Sequence, residues 1–427
     1  MSILLDGYRV YGSELENLRE NNERMEGVTK DLVVRPYDIT FLSYCDIPER
    51  QEVGKTTFYK LDKPRIDDFL RGIPLATGTV DNSIFGNEAV LDELKSTSGL
   101  CLVIGGLPYI VSAMAIPTFT IQAEVKGDMT IQVNNVIRDM HLADAIYRKN
   151  KNIHLVYREE EIDGITVRKV FAGLGAAYKL IPQTIVTKTI DKLIEDGTMG
   201  TPFVQHFDID HGYTTAYVTL PEIGEEIADE YKLSGEIVPG LYISTSDIGA
   251  SSVIIRGIYK RGSSTVITDE VMLRHIGSIT PEMILKEADE KIFSGIRKLP
   301  EALANLMGIE VTDYSKLDLT KPRDAAKNKK AVAKVISKEL KRVCREAKVS
   351  CKKEKALLEC LEAEINEELV YTMYDIAMIF MGVPDRIEGL DRDTIARLQK
   401  ACGQSPYKLS NNKPVSAEDE EVTLLPA

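Results

Sequence analysis

From Lys327 to Lys352 a cation recurs at steps of 3, 4, 4, 3, 4, 3 and 4 residues: Lys327, Lys330, Lys334, Lys338, Lys341, Arg345, Lys348 and Lys352. A strand cannot put such a series on one side, because its side chains alternate at every residue. A helix of 3.6 residues per turn does. Val332, Ile336, Leu340, Val343 and Ala347 follow the same cadence half a turn away. The stretch is therefore predicted to be an amphipathic helix, with an apolar side that must dock and a cationic side left outward. Like charges at this spacing repel one another. Glu339, Glu346 and Glu354 are expected to offset only part of that repulsion.

The stripe stands against the charge of everything else. Residues 321–355 hold 14 Lys+Arg and 4 Asp+Glu, a local +10, in a 427-residue chain of net charge −13. The other 39 basic and 62 acidic residues leave a body of −23. Three readings stay open: a solvated helix face, a phosphate track for nucleic acid that reads no sequence, and a contact with the protein's own acidic body or a neighbour's. Lys outnumbers Arg in the stretch and aromatic residues do not interleave, which favours loose electrostatic contact over base stacking. The apolar side lacks Trp and Phe, which speaks against a membrane surface.

Upstream, periodicity points to mixed structure. Residues 1–30 read as a short helix or an arm, and 32–45 as a strand interrupted by Pro36. Residues 97–123 carry no charge and raise the question of a membrane span. Gly105-Gly106, Pro108 and Pro117 argue instead for two buried strands, at 100–104 and 109–113, with extended chain at 119–125 and 129–133 across a 126–128 turn. Short helices are expected at 67–72 and 87–96, and longer ones at 134–149 and 184–196, the latter stopped by Gly197. Strand pairs are expected at 153–158 with 165–171, 203–207 with 213–220, and 241–244 with 252–259. Residues 222–231 read as a polar helix or loop. Thr280-Pro281-Glu282 starts a helix, with Thr as cap and Pro in the first turn. Residues 317–322 read as a linker, and 325–381 as one helical region with a break near 349–353. Its apolar seam is Leu357, Leu361, Ile365, Leu369, Met373, Ile376 and Phe380, and a last helix covers 391–399. The expected fold class is α+β, a mainly antiparallel β-rich core with flanking helices and a helical C-terminal region. Four segments follow: 1–133, a β-containing region; 134–316, the α+β core; 317–402, the helical region with the stripe; and 403–427, a disordered acidic tail.

Motifs for chemistry are sparse. The six cysteines are scattered with no CxxC, and no signal peptide opens the chain, so reduced thiols and a cytoplasmic location are expected. His206, Asp208 and Asp210, with His211, invite a metal reading, since alternate residues of a strand share a side; the same residues also have the composition of a hairpin turn, the stronger reading. Gly173-Leu174-Gly175 lacks the third small residue of a dinucleotide loop, and Gly105-Gly106 is not followed by Gly-Lys-Ser/Thr. His275, beside Arg274, is the best lone histidine but has no Ser, Cys or Asp at a catalytic spacing. No cofactor and no catalytic residue is assigned, and a non-enzymatic protein is expected.

A run of blocks in order carries a family likeness: 167–181 (VRKVFAGLGAAYKLI) with Pro182-Gln183, the hairpin at 204–221, the 238–256 stretch with Ser246-Asp247-Ile248-Gly249, and Arg274-His275-Ile276-Gly277. Together, residues 153–290 resemble the phage/plasmid-like proteins of domain-of-unknown-function family nine-three-two. Where that family has His-Asp-Gly, this chain has Ser246-Asp247-Ile248-Gly249, and the family's Cys-x-Asn segment has no counterpart between residues 263 and 273. The resemblance implies a mobile-element or viral origin and an α+β core, and it implies no reaction.

The leading expectation is a phage-type protein that binds nucleic acid, single-stranded DNA foremost, through the stripe, and works as a homo-oligomer in recombination or replication without a membrane. Arg256, Lys260, Arg261 and Arg274 are secondary cationic candidates. The alternative is a structural or assembly protein whose acidic body meets the basic helix of a neighbour, and a weaker one is a metal-dependent enzyme at His206–His211.

Overall fold

The computed structural model describes residues 2–5, 7–44, 51–53, 56–59, 98, 100–125, 135–162, 164–197, 199–233 and 237–411. The helices expected at 67–72 and 87–96, the strand at 129–133 and its turn, and the acidic tail beyond 411 lie outside the described residues.

The chain begins with β1 (Arg9–Gly12), α1 (Leu15–Val28), β2 (Thr29–Val34), β3 (Ile39–Tyr44), β4 (Gln51–Val53) and β5 (Thr56–Tyr59). Pro36 opens a 3-10 turn between β2 and β3, the interruption its missing N–H requires. Next come β6 (Leu100–Ile104), β7 (Leu107–Val111), α2 (Ala115–Ala123), α3 (Asn135–Lys149), β8 (Ile153–Ile162) and β9 (Ile165–Gly175). Helix α4 (Ile185–Asp196) ends at Gly197 with φ of 62°, a backbone that glycine adopts without strain. It is followed by β10 (Phe203–Asp210), β11 (Thr214–Thr219), α5 (Pro221–Tyr231), β12 (Val238–Thr245), β13 (Val253–Arg261) and β14 (Ser264–Leu273). Then come α6 (Pro281–Ala288), α7 (Ser294–Leu306), α8 (Pro322–Ala347), α9 (Cys351–Ala363), α10 (Met373–Met381), α11 (Arg392–Gly403) and α12 (Ser405–Leu409).

The fold is α+β, built on two sheets. The six-stranded sheet, ordered β1-β10-β11-β12-β13-β14, is antiparallel throughout. The eight-stranded sheet, ordered β2-β8-β9-β7-β6-β3-β5-β4, adds two parallel pairs, β3 with β5 and β7 with β9. The six-stranded sheet has two different sides. Phe207, Ile209, Ala216, Val218, Leu241, Ile243, Val253 and Ile255 face one continuous core shared with α4, α7, α8 and α10. Tyr217, Tyr242, Ile254, Ile258 and Ile267 face the other way, where Ala396 of α11 packs on them. The lysine-rich helix thus belongs to the same core as the sheet.

Three expectations are corrected. Residues 119–125 are not extended: α2 covers most of them, with Pro117 in its first turn and the Thr118 and Thr120 hydroxyls bonded back to Ala115 and Ile116 carbonyls at 2.6 and 2.8 Å. Its Phe119 lies where a Cβ on Gly173 would come within 2.5 Å, so the glycine that imitated a nucleotide loop provides room for a helix. The 325–381 region has a second break at 364–372. Thr372 closes a capping box with Asp375 that starts α10 afresh, and this leaves Leu369 exposed and out of the seam. Finally, residues 403–411 are not tail: Cys402, Ser405 and Leu409 are fully buried as α11 and α12 pack into the core.

A buried polar group links the sheets. Arg158 of β8 has no exposed surface. It donates to Asp247 at 3.2 Å and to His211 Nδ1 at 2.5 Å, and it lies 4.4 Å from the centre of the Phe171 ring.

Candidate nucleic-acid interface

Helix α8 is fixed by its apolar side. Val332, Ile336, Leu340, Val343 and Ala347 have no exposed surface. Each such burial contributes about 1.5–3 kcal/mol for a branched side chain. At about 100° per residue, Lys327, Lys330, Lys334, Lys338, Lys341 and Arg345 fall within roughly 80° of arc, opposite Ile336. All six are exposed, and so are Lys348 and Lys352. From Lys327 to Arg345 the row extends about 27 Å at 1.5 Å per residue. Lys348 takes a left-handed backbone, φ 59°, that ends α8, so Lys352 belongs to α9.

Two acids of the segment are drawn aside. Glu339 is buried, and Arg342 donates to it at 3.0 Å and to Glu346 at 2.6 Å. Arg342 also donates to the Ala401 carbonyl at 2.9 Å and to Ser405 Oγ at 3.1 Å, which ties α8 to α11 and α12. These two glutamates therefore bond the flank of α8. Lys327 pairs with Asp324 at 3.1 Å.

The other side of α11 overlooks the outer side of the six-stranded sheet, across a groove of about 650 Å³. Strand register builds its floor. His206, Tyr217, Tyr242, Arg256 and Glu270 are successive partners across β10, β11, β12, β13 and β14. The Tyr217 and Tyr242 rings meet edge-on with centres 4.9 Å apart. Arg256 lies 5.2 Å from the Tyr242 ring centre and donates to Glu270 at 2.5 Å. Arg392 of α11 sits 4.1 Å from the Tyr213 ring centre and donates to Tyr242 Oη at 3.1 Å. Burial pushes the Tyr217 phenol up to about 12, so it is a protonated donor at neutral pH.

Of the secondary cations, Arg256 and Lys260 line this groove. Arg261 points elsewhere and donates to the Met378 carbonyl at 2.7 Å. Arg274 is exposed beside a separate cavity of about 480 Å³ lined by Tyr178, Gly249, Ser251 and His275. Three of the four blocks that carry the family likeness, 167–181, 238–256 and 274–277, converge there. Tyr178 Oη donates to the Asp247 carbonyl at 2.8 Å, Lys179 N donates to the His275 carbonyl at 3.2 Å, and the Tyr178 and His275 rings stack with centres 5.1 Å apart. Burial lowers the His275 pKa against the opposing pull of the Lys179 and Ser251 backbone and of Asp247.

Of the four candidate metal residues, His206, Asp208 and Asp210 line the groove together, and His211 is separated from them. β10 runs through Asp210, and His211 turns off it to the opposite side, with Nδ1 on Arg158 and Nε2 on the Leu5 carbonyl at 2.5 Å. Asp208 is held by Arg9 at 2.8 and 2.5 Å, and Asp210 accepts the Gly212 and Tyr213 N–H groups at 2.7 and 2.8 Å, as a turn residue does. Among the described residues no group of three or more His, Cys, Asp or Glu could hold a metal ion. Among them, too, no helix is long and apolar enough to cross a membrane.

Arg9, Tyr213, Tyr217, Tyr242 and Arg392 were not legible as site residues in the sequence. The available signal was alternation on β11, where Thr215 and Tyr217 oppose Ala216 and Val218, but it names a side and not a site. No known protein family, curated protein or solved structure matches this chain.

Proposed function

We propose that this protein binds nucleic acid without reading its sequence, single strands foremost, with the cations from Lys327 to Lys352 as the phosphate track. It acts as an oligomeric protein of a phage or other mobile element, in recombination or replication. One observation carries the reading. Six cations lie in a straight exposed row about 27 Å long, while Glu339 and Glu346 of the same helix are held aside by Arg342. A row meant only for solvation gains from interleaved acids at i+3 or i+4. A phosphate track gains when such acids are engaged elsewhere, as Glu339 and Glu346 are by Arg342, while Asp324 stays with Lys327 at the row's end. The family likeness of residues 153–290 supports the mobile-element setting.

The test is anisotropy of a fluorescent oligonucleotide at low salt, followed by salt elution. Tight binding that weakens steeply with salt is expected, and absence of binding at about 50 mM salt overturns the reading. Light scattering without nucleic acid addresses the assembly alternative, which the −23 body facing a +10 helix keeps in view. Large salt-sensitive assemblies that bind no oligonucleotide would favour it.

A further inference from the structure

We infer that the groove on the outer side of the six-stranded sheet is a site for unpaired nucleobases, so that a strand lays its phosphates along α8 and its bases beside α11. This rests on the nucleic-acid reading above. The volume, about 650 Å³, lies within the roughly 300–1,000 Å³ of sites for drug-sized ligands. Three of its charges are engaged, Arg256 by Glu270, Asp208 by Arg9, and Asp210 by two backbone N–H groups, while Lys260 and Arg392 bond the neutral Gln205 and Tyr242. A phosphate finds Lys260 and Arg392 at the groove, while the floor between them carries, among the described residues, no unengaged charge. The floor offers rings and hydroxyls from Tyr217, Tyr242, Thr215 and Thr265. Flat uncharged groups with hydrogen-bonding edges match such a floor, and unpaired bases are that kind of group. At the mouth, Arg392 over Tyr213 presents a guanidinium plane suited to a base or its phosphate.

The two surfaces are neighbours through α11. Arg392, Ala396 and Gln399 face the groove. Arg397 of the same helix donates to the carbonyl of Ala347, the last residue of α8, at 3.3 Å. Helix α11, about 10–12 Å in diameter, lies between the groove and α8. At the roughly 3.4 Å per phosphate of a stacked strand, about three nucleotides span that helix and the track takes about eight more. With a base in the groove, full engagement needs about 12 nucleotides, within the range of roughly 4–16 that single-strand-binding domains occupy. A duplex keeps its bases paired and reaches the track alone.

The chain contains no Trp, so Gln399→Trp places one indole on the groove wall. Full-length protein is titrated with oligothymidines of about 6, 12 and 20 nucleotides and with a duplex of about 20 base pairs, lengths chosen around the site size. Emission is expected to be quenched by the two longer strands and not by the duplex. Arg392→Ala, which needs no indole, is expected to lower the ratio of single-strand to duplex affinity about tenfold, the scale of one lost base contact. Indole emission indifferent to a strand that does bind overturns the inference, as does an Arg392→Ala variant that weakens strand and duplex equally. If the unsubstituted protein binds neither at low salt, the nucleic-acid reading itself falls, a separable result.

Discussion

Replacing Lys334, Lys338, Lys341 and Arg345 by Gln removes half of the eight-cation track through side chains that are all exposed. A single strand that neutralises all eight gives a slope of log Kobs against log[salt] near −5.6, at about 0.7 per phosphate contact. From about 50 to 200 mM salt the affinity then falls roughly 2,000-fold. With four contacts left the slope is about −2.8, and the fall over the same range is roughly 50-fold. Folding should barely register the change. Four like-charge contacts along α8 disappear, each worth about 0.2–0.5 kcal/mol, while any exposed ion pairs lost with them are of similar size. Anisotropy of a labelled oligothymidine across a salt series gives the slope, and thermal melting checks the fold. An unchanged slope refutes the reasoning, because it would place the phosphates elsewhere.

Ile336→Ala, at the fully buried centre of the docking side, should cost about 2–5 kcal/mol in urea unfolding, far more than any change on the cationic side. Asp247→Ala leaves the Arg158 charge buried without its partner and should cost about 3–5 kcal/mol, whereas joint replacement of Arg158 and Asp247 by Met and Leu should recover much of that in a denaturation series. Burial holds the His275 pKa below its ordinary 6.5, so in the interval between the two values the unfolded chain binds a proton that the folded chain lacks. Stability is therefore complete above about pH 6.5, declines as pH falls through that interval, and levels off below the folded pKa; His275→Phe should flatten that part of a melting-temperature profile.

Local rules made much of the fold legible. Pro36, Gly197, the Thr280 cap and the period of α8 each act within a few residues, so the chain displays them in one dimension. Errors arose where distant contacts decide. Residues 119–125 carry no helical period strong enough to announce α2, and its place depends on Gly173, about fifty residues on, leaving space for Phe119. Residues 403–411 read as polar tail because the anchors of α11 and α12 are spaced widely, yet Arg342 of α8 reaches back to Ala401 and Ser405.

The same division runs through the candidate site. The track is local, since one helix supplies most of it and the spacing of its lysines already fixes the arc. The groove is nonlocal, because each strand contributes one or two side chains and only strand register aligns His206 with Tyr217, Tyr242 and Arg256. Even the track held one fact that spacing could not supply. Glu339 and Glu346 sit at positions from which they could have softened the row, and the sequence alone suggested that they did. Their capture by Arg342 depends on α11 and α12 lying on that flank, where Ala401 and Ser405 accept the remaining guanidinium hydrogen bonds. Tertiary packing thus sharpens the cationic row beyond what composition implies, and it places the helix that does so between the track and the groove.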